Sequence, residues 1–342
     1  MEKNRLVFVD VGKIFSIFLV IVLHTCLCSV YLFQDIGSSD WWAGLAYYTA
    51  SRVCVPLFIM LSAVLTLWKD VHSDADQDLR RVVKRIVHFG VPILLWSVFY
   101  LHLFNKKINF HSLVSIFYAP TGLVHLWFLY VLIGIYLLSP LFLAVLRKGG
   151  RDLIGYVLLL WFVFSPLSVY VTAFFGVKPS NSYGLFPTYQ AGFVGYYLLG
   201  AWLMERKPLA LRASVALVLV GFFLSYALTA YDNLFVSLPP FNDRYLNFLA
   251  PGVGLMSVGC FEVLRSVSWP KSRLIAFFSS LVFGVYFVHE ALLDVIRKDF
   301  GWTGNGLSPL WSLPAIAVGV VLASFAVSAV LFKIQGKRHI FF

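Results

Sequence analysis

Apolar residues in this chain gather in long runs and do not alternate with polar ones as they would in half-buried strands. A membrane helix needs about 20 mostly apolar residues. Ten runs approach or exceed that length, at 12–33, 43–68, 86–104, 123–146, 152–175, 188–205, 209–231, 245–265, 273–295 and 312–333. The connections between them are short and polar. The longest, 69–85 and 105–122, are too small for a folded unit. The pattern predicts an all-α bundle of about ten transmembrane spans, one membrane domain over 1–342 with no separate soluble domain. The first run is not expected to be a cleaved leader. Asp10 and Lys13 stand at its start, no small-residue cleavage site follows it, and nine further runs do.

Composition sharpens this reading. Of the 342 residues 60% are apolar and only 13% charged, with a mean hydropathy of +0.83. A soluble fold could not bury so much apolar surface. Cytosolic or secreted globular enzymes, disordered chains and nucleic-acid binders are thereby excluded. The net charge of +11 reflects loop placement. Counted over alternate loops, 19 Lys and Arg residues lie on one side and 6 on the other, with Lys13 and Arg52 inside spans. The positive-inside rule then puts both termini in the cytoplasm and favours an even number of spans. Cys26, Cys28, Cys54 and Cys260 all sit in apolar runs, without the spacing of zinc ligands. They read as small buried apolar residues, and no metal is expected.

Polar groups inside spans are costly and mark candidate function. Lys13 and His24 are 11 residues apart, which on an α-helix is about 20° from alignment and about 16 Å along the axis. Asp10 falls about 40° to the other side, so all three share a face, with Ile17 and Val20 between. The same pattern would suit two interfacial anchors and a hydrogen-bonded core histidine. Arg52 lies within the second run at a depth similar to that of His24. It cannot shed its charge, so it needs a polar cavity, a partner or the headgroups. Glu205 and Glu262 fall at helix ends and read as interfacial.

Several blocks resemble those of the acyltransferase family 3 membrane proteins. Lys13-x10-His24, preceded by Asp10, is similar to that family's Arg-x10-His signature. SRVCVPLFIMLSAVL (51–65), HLWFLYVLIGIYLLSP (125–140), GYYLLGAWL (195–203) and FGVYFVHEALL (283–293) resemble its later blocks. They occur in order from residue 10 to 293. Lys13 stands where the family has arginine, and Ala63 follows Ser62 where glycine is usual. The chain is most similar to the stand-alone O-acetyltransferases of surface glycans, of the enterobacterial common antigen type.

The resemblance implies a bacterial inner-membrane enzyme that moves an acetyl group from acetyl-CoA, a co-substrate, to a hydroxyl of a polysaccharide or lipid-linked sugar. His24 suits the general base, with Lys13 and Asp10 as its companions on the track. A covalent acyl-enzyme on Ser62 or His24 stays open as an alternative. Arg80, Arg81, Lys84 and Arg85, at i, i+1, i+4 and i+5, form one basic face for the donor's phosphates, or a topology signal. Arg52, Ser62, His125, Trp127, Tyr130, Tyr286, His289 and Glu290 are candidates for lining the acceptor side. Buried polar residues in ten helices also fit a transporter of a polysaccharide or lipid-linked sugar. The acyl group, the sugar and the oligomeric state stay open.

Overall fold

A computed structural model describes residues 5–71, 73, 77–104, 116, 124–148, 150–175, 189–237, 240–302, 304 and 306–336. Lys3, Lys106, Lys107, Lys178, Lys337 and Arg338, which entered the loop count, lie outside these residues. The described residues are helical, with no strand. In chain order the helices are α1 (Val7–Cys28), α2 (Ser39–Ser51), α3 (Cys54–Ala63), α4 (Asp78–Leu103), α5 (Trp127–Lys148) and α6 (Gly150–Phe164). They continue with α7 (Pro166–Phe175), α8 (Tyr189–Met204), α9 (Leu211–Tyr231), α10 (Pro251–Ser266), α11 (Arg273–Lys298) and α12 (Pro309–Gln335).

Nine stretches among the described residues are long and apolar enough to cross a membrane: α1, α2–α3, α4, α5, α6–α7, α9, the 23-residue stretch Arg244–Ser266 that ends in α10, α11 and α12. The run predicted at 188–205 is the 16-residue α8, which is shorter than a full span. Exposed apolar residues cover one side of α4 (Val87, Val91, Leu94, Val98) and of α12 (Leu322, Val330). Only lipid can face surfaces of this kind, and the chain is a multi-pass membrane protein.

Proline explains where the spans bend. Pro56 has no N–H to give the Arg52 carbonyl, and the second span breaks at Arg52–Val53 between α2 and α3. Pro166 does the same for the fifth span, which breaks at Ser165. At two other prolines side chains occupy the freed carbonyls. Pro140 leaves the Tyr136 carbonyl, which accepts the Ser139 hydroxyl at 2.7 Å. Pro314 leaves the Leu310 carbonyl, which accepts the Tyr47 hydroxyl at 3.0 Å. These bonds keep α5 and α12 continuous where a proline would otherwise cost about 3 kcal/mol.

Helix α1 packs against α2, α3, α10, α11 and α12. It runs parallel to α11. The Ser279 hydroxyl donates to Asp10 Oδ1 at 2.6 Å near one end, and His24 meets Glu290 near the other. Small residues allow the close packing that helices need in lipid. A Cβ on Gly200 would lie 2.5 Å from the Met60 carbonyl oxygen, so α8 and α3 touch backbone to backbone there. Glu262, near the end of α10, is held within the protein. It is buried, accepts from the Leu209 amide at 2.9 Å and pairs with Arg265 at 2.5 Å.

Candidate active site

The shared face of α1 points into the bundle. Ile17 and Val20 are buried, Asp10 is only 7% exposed, and Lys13 lines an internal cavity. At the far end of this track His24 Nδ1 lies 3.4 Å from Glu290 Oε2. Their side chains keep 16% and 19% exposure, enough for a small group to reach them. The ring of His289 stands 5.1 Å from that of His24, and the ring of His125 stands 5.9 Å from that of His289. Three imidazoles and a carboxylate therefore converge from α1, α11 and the 3-10 turn Val124–Leu126 before α5.

Neighbouring bonds fix these side chains. His289 Nδ1 bonds the Tyr286 carbonyl at 2.7 Å. The Tyr286 hydroxyl donates to the His125 carbonyl. Tyr100, on α4, donates to the Phe287 carbonyl at 2.5 Å and accepts from the Ala291 amide at 3.2 Å. It thus bridges both ends of one helical hydrogen bond, around the turn that carries His289 and Glu290. The sequence marked Glu290 as an acceptor-side residue but gave His24 no carboxylate. The structure supplies Glu290 from a helix 266 positions away.

Below this cluster lies a cavity of about 280 Å³, near the lower end of small-molecule sites. Helices α1, α3, α4, α5 and α11 wall it. Its lining is mainly apolar, with polar groups from Lys13, Ser62, His88, Tyr136 and Ser279. Tyr286, one turn before His289, is among its lining residues. Among the described residues no carboxylate lies within 4.0 Å of the Lys13 ammonium. Ser62 Oγ and Tyr136 Oη are 2.5 Å apart, and Thr66 Oγ1 and Tyr197 Oη likewise, along the π-helical turn Val64–Trp68. Of these, His88, Tyr136 and Ser279 carried no sequence signal beyond polarity in a span. Asp10 accepts from Arg5 Nε at 2.5 Å as well as from Ser279, and so tethers the start of α1 to α11.

The basic face of α4 divides in two. Arg80 and Lys84 are exposed. Arg81 pairs with Asp78 and, at 3.4 Å, with Asp70; Arg85 pairs with Asp70 at 2.7 Å. Arg147, at the end of α5, joins Asp78 at 2.6 Å and caps the Asp70 carbonyl at 2.8 Å. Two carboxylates thus hold three arginines and pin the connection before α4.

Arg52 does not reach the histidine cluster as its depth suggested. Its Nη2 pairs with Asp243 at 2.8 Å, its Nε donates to the Leu246 carbonyl at 2.5 Å, and its guanidinium lies over the Tyr48 and Phe248 rings. The helix break at Arg52–Val53 turns the side chain toward that loop. Trp127 packs on Phe193 and Phe248, with ring centroids 5.6 and 5.7 Å away. Tyr130 donates to the Ile116 carbonyl at 2.6 Å. Neither joins the cluster.

The polytopic bundle thus holds a cavity between its helices and, farther along α1 and α11, an imidazole–carboxylate cluster. The model of the acyltransferase family 3 acyltransferase domain matches residues 6–332, and the chain belongs to that family of membrane acyltransferases. No curated protein and no solved structure matches it.

Proposed function

We propose that the chain is an O-acetyltransferase that moves acetyl from acetyl-CoA to a sugar hydroxyl of a surface polysaccharide or its lipid-linked precursor. The observation that carries this reading is the His24–Glu290 pair at 3.4 Å, reachable yet largely enclosed. A hydroxyl is a weak nucleophile until a base takes its proton. Glu290 Oε2, 3.4 Å from His24 Nδ1 and without a hydrogen bond at that distance, accepts the Nδ1–H as the pair closes, which leaves the lone pair on Nε2 and stabilises the imidazolium that forms. Nε2 takes the hydroxyl proton as the oxygen attacks the thioester carbonyl; the C–S bond then breaks, and the imidazolium returns that proton to the sulfur so that coenzyme A departs as thiol. Asp10 positions α1, and Lys13 offers a cation within the donor cavity.

The donor side follows from charge. Acetyl-CoA is a cytoplasmic polyanion. The loop count puts both termini, and hence Arg80 and Lys84, on the cytoplasmic side, and the likeness of the motif blocks points to a bacterial inner membrane. The phosphates then meet exposed cations, and the pantetheine arm enters the cavity beside Lys13 and Ser62. Tyr286 lines that cavity and lies one turn before His289 on α11, which brings the thioester near the base. The likeness of the motif blocks to the common antigen type of glycan acetyltransferase supports the acceptor class. Mass spectrometry of surface glycan from cells with and without the chain tests the reading. Acetate present only with the chain supports it. Glycan that crosses the membrane without gaining acetate refutes it and favours a transporter.

A further inference from the structure

We propose that His24, His289 and Glu290 bind one divalent transition-metal ion, zinc by ligand chemistry, and that this ion arrests the base. One donor atom from each residue lies within 4.8 Å of the others. The His24 Nδ1 to Glu290 Oε2 separation of 3.4 Å already matches one edge of a zinc tetrahedron. Bonds of about 2.0–2.1 Å at the tetrahedral angle put neighbouring ligands about 3.3–3.4 Å apart. Small side-chain rotations close the remaining gap.

Hydrogen bonding supports the same ligand set. Because His289 Nδ1 donates to the Tyr286 carbonyl, its lone pair sits on Nε2. A carbonyl behind the ring is the usual second contact of a metal-bound histidine. His289 is fully buried, and its Nε2 has no hydrogen-bond partner among the described residues; nor has Glu290 Oε2. Two buried acceptors of the cluster are therefore left without a donor. Leaving a buried polar atom unpaired costs about 1–3 kcal/mol, and a cation would satisfy both acceptors at once. Two imidazoles and one carboxylate suit zinc, whereas magnesium and calcium prefer oxygen ligands. The ligands come from helices far apart in sequence, so no zinc spacing was visible in the chain.

Arrest follows from the tautomer and rests on the function proposed above; metal binding itself does not. Zinc on Nδ1 of His24 takes that lone pair and moves the ring proton to Nε2. No proton is gained or lost, but Nε2 can no longer accept one from a hydroxyl.

The test uses the full chain in detergent micelles, stripped with a chelator and titrated with zinc chloride. Bound zinc is counted by mass spectrometry, and affinity is measured against a chromophoric chelator. We expect one ion per chain, with His289→Gln and Glu290→Gln each weakening binding at least about tenfold while circular dichroism stays unchanged. We expect acetyl transfer to fall as zinc binds and to return on chelation. No bound zinc, or equal binding by both variants, overturns the site. Zinc that binds at the site and leaves transfer unchanged, or raises it, overturns the arrest. A metal-free chain that binds zinc but never transfers acetyl leaves the site standing and refutes the proposed function instead.

Discussion

Replacing Glu290 with glutamine keeps the shape of the side chain and removes one charge. In the proposed mechanism that charge faces an imidazolium formed in the transition state. At 3.4 Å and an effective dielectric of about 20, a full charge pair is worth about 5 kcal/mol. With the proton half transferred, about 2.5 kcal/mol is lost, or about 70-fold in kcat. Donor KM should change little, because Glu290 is not among the residues lining the cavity. The assay follows labelled acetyl from acetyl-CoA into the glycan, with chelator present so that no metal contributes. A Glu290→Gln rate within threefold of wild type would refute the dyad and leave His24 without an orienting partner.

Two further predictions separate the donor site from the chemistry. Arg80→Gln with Lys84→Gln removes two exposed cations, each worth about 0.5–0.7 kcal/mol to a phosphate at low salt. Donor KM should rise about five- to tenfold and the difference should shrink at high salt; no change would reduce the pair to a topology signal. Ser62→Ala removes one hydrogen bond to Tyr136, about 1 kcal/mol, so single-turnover transfer should stay within about fivefold. A thousandfold loss would establish an acyl-serine in place of direct attack.

The sequence carried the fold well because lipid imposes one strong constraint, an apolar run for each span. It also carried the inward face of α1, since Asp10, Lys13 and His24 recur at helical spacing. Partners between helices were another matter. Which residue of α11 meets His24 depends on helix rotation and axial register, and packing sets both. Glu290 was visible as an unusual acid, but its pairing was not. Arg52 shows the same limit. Its depth matched that of His24, yet the backbone break opposite Pro56 turned it toward Asp243. On α4 the spacing revealed four cations, while their division into Asp-bound and exposed pairs required the positions of Asp70 and Asp78.

The imidazole of α1 is the group on which the chemistry depends. The most direct measurement extends the glycan mass spectrometry to cells carrying His24→Ala, with membrane insertion checked on the same samples. A base at His24 predicts inserted protein and glycan without acetate. Acetate at the wild-type level from an inserted His24→Ala chain would contradict it.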